Sequence, residues 1–333
     1  MSPFVLGMDI GYSNLKLVFA PADSKDPRTK VMPAGAAPHE MITSSIKGDG
    51  PENDYLCVTL DGEKWVAGVE GNLIGGNYRQ LHKNYSTTQA YQALFYAALH
   101  TAAMQGDCLV IDRLVTGLPV DQHQDAAYKN ALADRLTGIH KISPLVQVEV
   151  KETIVLPQPA GAYLDQLDLM GADAMSDAVA VVIDPGFFSV DYVVLQGSRI
   201  QNQSSGTSKR ACSVLIEAVD EMVRDDLGRL IGTSRIESAI RTGRYVLKMG
   251  PTSIDLGPYI AKAAAQVAPQ ALSHMQAQMR HEDVHPDFVI LAGGGSKLYE
   301  EAARAIFPNV EVVSNPDPVL ANAMGFWLYG AAL

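Results

Sequence analysis

Near the start of the chain two apolar runs bracket a short polar stretch. Val5, Leu6 and Met8 lead to Asp9. Gly11, Tyr12, Ser13 and Asn14 follow, and Leu15, Leu17, Val18 and Phe19 resume the apolar pattern around Lys16. Apolar runs split by a glycine-containing polar turn predict strand, turn, strand. The pattern recurs in AVAVVIDPGFFSVDYVV, residues 180–196, with Asp184, Gly186, Ser189 and Asp191 in the corresponding region. Each copy has an Asp at the strand end, a one-residue spacer, a Gly, and a small hydroxyl residue before the second strand. Two copies of a half-site, one in each half of the chain, predict two similar domains facing one ligand. A third apolar run, DFVILA, meets Gly293, Gly294, Gly295 and Ser296, after which the pattern turns helical at Lys297.

Between these stretches the alternation is clear in most places. Residues 55–69 predict a hairpin turning at Asp61–Gly62. Residues 87–104 have helical spacing, with Thr87 or Thr88 as cap. A buried strand is expected over 107–119, a helix over 121–136, and a strand over 146–156 that runs into Gln158 and the small residues Ala160, Gly161 and Ala162. Small residues there permit close helix approach. In the second half, RIQNQSSG predicts a third strand ended by Gly206. An amphipathic helix is expected from about Ser208 to Leu227, with Val214, Leu215, Ala218, Met222 and Leu227 on one face. A short helix over 233–241, a long one over 256–280, a helix over 297–306, a strand over 309–313 and a last helix from about Pro316 to Leu328 complete the pattern. The Met and Gln residues of the long helix suit core packing better than subunit contact. Residues 21–54, rich in Pro, Gly, Asp and Ser, read as turns and loop. His82 and Lys83 lie in a polar loop that could meet a partner, although a solvated loop explains them more simply. His123 and His140 read as surface residues.

The chemistry open to such turns is limited. Successive backbone N–H groups make a concave anion site. Ser13, Asn14 and Ser189 add donors, and Lys16 adds a positive charge. Asp9 and Asp184 repel a phosphate directly, but each could hold a hydrated Mg²⁺ that bridges to phosphates. An ordinary hairpin with a polar turn explains either copy alone equally well. The glycine triplet allows a ligand close to the backbone where a helix begins. It is weak alone and stronger in company with the two hairpins. No zinc spacing, G-x-x-x-x-G-K-[ST], G-x-S-x-G or G-x-G-x-x-G is present.

Composition narrows the classes further. A length of 333 residues favours two domains. A net charge of −11 argues against direct, broad binding to nucleic acid, so a protein of this kind that moves DNA would need a basic adaptor. Cys57, Cys108 and Cys212 are odd in number and lack ligand spacing, as suits a reducing cytoplasm. Neither a signal-peptide pattern nor an apolar run of spanning length is present, so a cytoplasmic protein without membrane attachment is expected.

Together the motifs resemble those of the actin, sugar-kinase and heat-shock-chaperone superfamily. Asp9–Lys16 is similar to its first phosphate motif and Leu156–Ala162 to its first connecting helix. Asp184–Asp191 is similar to the second phosphate motif, Leu291–Ser296 to the adenosine motif, and Ala321–Gly325 to the second connecting helix. Within the superfamily, D-I-G-Y-S-N-L-K, the short length and P-x-P-A-G-A-Y-L look most like the plasmid-segregation actins, the ParM/StbA group. The resemblance implies an α/β fold of two actin-like (ribonuclease H-like) domains around a nucleotide cleft. Residues 1–160 would form the first domain, with a C-terminal helix in 316–333 packing back on it, and 161–315 the second. It implies ATP or GTP with Mg²⁺ as ligand. Asp9 and Asp184 would hold the metal, and Gly11, Tyr12, Ser13, Asn14, Lys16, Gly186, Phe187, Phe188 and Ser189 would line the phosphates. Gly293, Gly294, Gly295 and Ser296 would lie beneath the adenosine. Gln158 would position the attacking water as a poor base, which fits slow hydrolysis. Glu237 and Arg241 would approach the ribose or base. It further implies self-assembly into filaments, plasmid or DNA segregation, and a basic DNA-binding adaptor.

Three departures from the pattern stand out. Tyr12 occupies a place where many relatives have Ser, Phe187 and Phe188 replace Gly and Thr, and Pro185 follows the Asp. They leave a non-hydrolysing nucleotide-dependent scaffold open. A small-molecule kinase of the same superfold is the other alternative. It would need a carboxylate base in the first half, and the sequence offers no clear one.

Overall fold

The computed structural model describes residues 2–42, 55–75, 84–208 and 211–333. His82 and Lys83 lie outside the described residues. The chain divides into two compact units, Met1–Asp168 with Val319–Leu333, and Leu169–Pro318.

In the first unit, β1 (Phe4–Ile10) and β2 (Asn14–Pro21) form the expected hairpin, and β3 (Arg28–Pro33) extends it. Next come β4 (Gly35–Pro38), β5 (Leu56–Leu60), β6 (Glu63–Val69), the helix α1 (Gln89–Gly106) and β7 (Val110–Leu118). Two helices, α2 (Val120–Gln124) and α3 (Ala126–Leu136), precede β8 (Gly138–Lys141), β9 (Gln147–Pro157) and α4 (Gln158–Met170). The main sheet has the order β3-β2-β1-β7-β9-β8. β1, β7 and β9 run parallel, while β2, β3 and β8 are antiparallel to their neighbours. A smaller sheet, β4-β6-β5, carries the buried Trp65. Its β5–β6 turn is formed by Asp61 and Gly62, both at positive φ, as a two-residue hairpin loop of this kind requires. β3 and β4 arise in a stretch read as loop, because β2 and β6 supply the ladder partners that its composition does not advertise.

The second unit begins with α5 (Ala172–Met175), β10 (Val179–Pro185) and β11 (Val190–Gln196). The short strands β12 (Arg199–Ile200) and β13 (Gly206–Ser208) follow, so Gly206 opens a strand rather than ending one. The remaining elements are α6 (Cys212–Leu227), α7 (Thr233–Thr242), β14 (Val246–Met249), β15 (Thr252–Asp255), α8 (Gly257–His281), β16 (Phe288–Leu291), α9 (Ser296–Ile306) and β17 (Glu311–Ser314). Its sheet repeats the plan of the first: order β12-β11-β10-β16-β17, a hairpin joined to parallel β16 and β17. Met275 and Met279 of α8 are buried among Leu272, Val289 and Phe307, which is the core role expected of them.

The C-terminal helix, Ala321–Ala332, closes the first unit. Ala323 and Trp327 pack on Val5, Val18 and Ala20. The contact is backbone-close: a Cβ on Gly7 would meet Trp327 N at 2.6 Å, and a Cβ on Gly161 of α4 would meet Asn322 Cα at 2.7 Å. Asn322 in turn accepts the buried Ala162 N–H through Oδ1 at 3.1 Å. Small residues are therefore required where α4 crosses this helix, and the side-chain amide fixes the crossing.

Two further expectations need correction. In α6 the buried face is Leu215, Ile216, Val219 and Val223, while Val214 and Leu227 are exposed. The helix starts at Cys212, where the Cys212 and Ser213 amides bond to the Gly186 and Phe187 carbonyls at 3.2 and 2.8 Å, and this anchor sets its rotation. His140 is buried rather than on the surface. Its ring stands edge-on to Phe95 at 4.9 Å, and Nε2 bonds to the Leu136 carbonyl at 3.0 Å.

His100, His123 and His140 are all held below the usual imidazole range, chiefly by burial. The folded chain resists protons that the unfolded chain accepts at a pKa of about 6.5. Stability should therefore be full above that value and fall as pH drops through the depressed folded values. Urea midpoints measured from pH 7.5 to pH 5 should decline, and His140→Phe should decline less steeply. Identical slopes would contradict the burial account of His140.

Candidate functional site

In both units the residues singled out in the sequence sit where ligands bind in parallel α/β sheets, at the carboxyl ends of the strands. β1 delivers Asp9, one residue beyond the Met8–Thr116 pairing, and β9 ends at Pro157, immediately before Gln158. Asp9 is 2% exposed. A carboxylate so buried must be paired and hydrogen-bonded. Lys16, opposite it in the hairpin register, places Nζ 2.8 Å from Oδ2. Gln158 donates from Nε2 to Oδ1 at 3.0 Å. Two glycines make the arrangement possible. A Cβ on Gly11 would lie 3.2 Å from Lys16 Nζ, and one on Gly117 would lie 2.7 Å from Gln158 Cγ. The first turn closes with the Gly11 N–H donating to the Asn14 carbonyl at 3.0 Å, and its Ser13 carbonyl accepts from the Ala34 N–H at 2.9 Å.

The second hairpin repeats this backbone. Asp184 pairs with Asp191 as Asp9 does with Lys16, and Gly186 N–H donates to the Ser189 carbonyl at 2.8 Å. The register thus matches Ser189 with Asn14, and Asp191 with Lys16. Ser13 corresponds to Phe188, so the hydroxyl residues of the two turns are not equivalent. Chemically the half-sites differ. Asp191 is buried and accepts from Ser189 Oγ at 2.7 Å and from Thr207 Oγ1 at 2.5 Å. A hydroxyl has a single proton to donate. Ser189 spends its proton on Asp191, so its Oγ is left as an acceptor instead of the phosphate donor expected from sequence. Asp191 and Thr207 were not assigned roles in the sequence, and only the fold brings Thr207 beside Asp191.

Phe187 packs against the cluster built on Leu215, Ile216 and Ile260, so its ring serves as core. Tyr12 stacks on Tyr85 at 4.6 Å between ring centroids. Tyr12 and Phe187 thus each pack against partners within their own unit. Glu237 lies on α7, and its charge and that of Asp184, after burial itself, help push the Cys212 thiol up to about 12.

The glycine triplet divides its work. Gly293 has φ +73°, donates its N–H to the Pro318 carbonyl at 2.7 Å, and presses its Cα against the Asp184 carboxylate, where a Cβ would collide with Oδ1. Gly295 donates to the Pro185 carbonyl at 3.1 Å, and a Cβ there would meet Cys212 Sγ at 2.7 Å. Ser296 is buried at the start of α9. Only Gly294 of the three has open space beside it. Two glycines are therefore needed by the fold, and the third is available to a ligand.

The donor set suits a cation that keeps its waters. Asp9 already accepts from Lys16 and Gln158, yet a carboxylate offers about four lone-pair positions, enough for water donors as well. Among the described residues, no group of three or more His, Cys, Asp and Glu forms a metal cage. Hydrated Mg²⁺, typically held through one or two carboxylates together with phosphates, fits such a set.

Comparison with known proteins agrees with the fold. Residues 7–161 match the family of actin-like proteins, N-terminal domain, and residues 182–304 match the archaeal actin homologue MreB-like, C-terminal. The chain belongs to the actin-like proteins. Among solved structures, the archaeal actin homologue Ta0583 in complex with ADP is 17% identical, with 99% of each chain covered and a TM-score of 0.78. ParM in a 15-stranded filament from Clostridium botulinum is 18% identical, with 100% of each chain covered and a TM-score of 0.76. Bacillus thuringiensis ParM with AMPPNP is 12% identical, covering 99% of this chain and 98% of its own, at a TM-score of 0.66. At these identities the likeness establishes the fold. Among curated proteins, no sequence matches this chain.

Lys16→Met should leave the buried Asp9 with Gln158 as its remaining partner among those described here, and removing one member of a buried pair costs about 3–5 kcal/mol. Chemical denaturation should show a loss of that order; a loss below about 1 kcal/mol would mean that Asp9 is solvated. Gly293→Ala should destabilise by about 1–3 kcal/mol through backbone strain and the displaced Asp184 carboxylate. Gly294→Ala should leave the melting temperature within a degree or two, and equal losses at both positions would refute the division of roles.

Proposed function

We propose that this actin-like protein is a polymerising ATPase that binds one Mg-nucleotide through its two half-sites. The observation that carries the reading is the buried Asp9 carboxylate, held by Lys16 and Gln158 at the end of β1, together with its register-matched counterpart Asp184 at the end of β10. Asp9 and Asp184 would hold the hydrated Mg²⁺, which would supply positive charge to offset that of the phosphates. Lys16 and the amides of the two turns would receive the phosphates, and Gly294 would admit the adenosine close to the backbone.

Gln158 fits a slow hydrolase. Its amide nitrogen is committed to Asp9, which leaves the carbonyl oxygen to accept a hydrogen bond from a water. It can orient that water but is a poor base, so rates well below those of enzymes with a carboxylate base are expected.

Filament assembly is part of the proposal and is supported by the fold shared with ParM filaments. Open, head-to-tail assembly produces filaments when the rotation between subunits does not close a ring. The proposed task is plasmid or DNA segregation in the cytoplasm. With a net charge of −11, DNA would be reached through a basic adaptor rather than directly. No helix among the described residues is long and apolar enough to cross a membrane.

The test is sedimentation of the purified protein with Mg-ATP, Mg-ADP or no nucleotide, with phosphate release measured in parallel. Nucleotide-dependent pellets and slow phosphate release are expected, and Asp184→Ala should abolish both. Pellets without phosphate release would replace the ATPase with a nucleotide-dependent scaffold. A protein that stays soluble throughout would point to the small-molecule kinase alternative.

A further inference from the structure

The first turn is supported from outside the three motifs. Tyr12 of the turn stacks nearly parallel on Tyr85, at 4.6 Å and 23°. Tyr85 meets Tyr91 of α1 edge-on, at 5.7 Å and 87°. Tyr91 is buried, and the Arg135 guanidinium carbon lies 5.6 Å from its ring centroid. The segment that carries Tyr85 is pinned on both sides. Arg135 donates to the Ser86 carbonyl, Ser86 Oγ is 2.6 Å from the Tyr128 hydroxyl, and Thr88 Oγ1 donates to the Tyr85 carbonyl at 2.8 Å. This segment, Tyr85–Thr87 with its flanks, leads directly into α1.

We propose that Tyr85 is a positioning residue for the nucleotide phosphates. Its ring, backed by Tyr91, carries the ring of Tyr12 and so fixes the turn between Gly11 and Asn14. Opposite this support, the Ala34 N–H holds the Ser13 carbonyl. A turn whose amides must converge on phosphates gains from being fixed before the ligand arrives, because the ordering cost is then not charged to binding. A Ser at position 12 would leave the turn with the Ala34 contact and no ring to hold it. Tyr12, which departs from the family pattern, is on this account the turn's anchor, and Tyr85 is the residue it anchors to. The inference rests on the nucleotide reading above and extends it.

The experiment is a double-mutant cycle read by Mg-ADP affinity, with melting temperature recorded for every variant. Tyr85→Leu and Tyr12→Leu should each weaken Mg-ADP about threefold to tenfold, the range expected for loss of one aromatic pair. The double variant should be no weaker than the weaker single, since both remove one interaction. Tyr85→Phe should restore wild-type affinity, because stacking needs the ring and not the hydroxyl. Unchanged affinity in Tyr85→Leu, or additive losses in the double variant, would overturn the inference while leaving nucleotide binding intact. A lower melting temperature with unchanged affinity would make Tyr85 a structural residue only and would also overturn it. A wild-type protein that binds no Mg-ADP would instead overturn the nucleotide reading, and this inference with it.

Discussion

A buried carboxylate with two partners sets the terms for the first unit. Asp9 can be buried to 2% exposure because Lys16 and Gln158 each take one of its oxygens. Each partner imposes a further requirement. Lys16 must fold back over the turn, which needs Gly11. Gln158 must stand against β7, which needs Gly117. Gln158 is also the first residue of α4, so its place depends on where α4 lies. That is decided within the first turn, where Gly161 meets Asn322 and Gly325 of the C-terminal helix and Asn322 accepts the Ala162 amide. The last helix of the chain thus positions a side chain on the first strand's carboxylate.

The second unit copies the backbone device with different chemistry. Asp184 ends β10 as Asp9 ends β1, but the residue across the hairpin is Asp191 in place of Lys16. The cation is replaced by a buried acceptor that consumes the protons of Ser189 and Thr207. One half-site therefore offers positive charge, and the other offers a carboxylate, a hydroxyl acceptor and the amides of its turn. On the proposed reading both turns meet phosphates through their amides, and Lys16 of the first adds the positive charge. Phe187 shows how such a turn tolerates a large residue: the ring is spent on the core, and the turn keeps its backbone path.

Much of this was legible in the sequence. The repeated strand–Asp–x–Gly pattern is a local signal of apolar runs broken by a turn, and it located both hairpins and both acids. The glycine triplet and the small residues around Gly161 were readable because close approach leaves few alternatives to glycine. What failed depended on register and on partners distant in sequence. His140 read as exposed because it lies beside a polar face and a loop. Pairing with β9 sets Ile139 opposite Glu149 and His140 opposite Val148, and so turns the imidazole inward. The face of α6 was misjudged because the rotation of that helix is fixed by carbonyls of the Gly186 turn. β3 and β4 were missed because ladder partners, not their own composition, make them strands. The role of Ser189 depended on Asp191 and Thr207, which only the fold could join.

The central claim is that the two half-sites, so similar in backbone, serve a single nucleotide. The most direct measurement is calorimetric titration of the chain with Mg-ADP, read for stoichiometry. The account predicts one Mg-ADP per chain, with no binding to a variant that carries Asp9→Asn or to one that carries Asp184→Asn. Two molecules per chain, or one that survives loss of either acid, would show that the half-sites do not act on a common ligand.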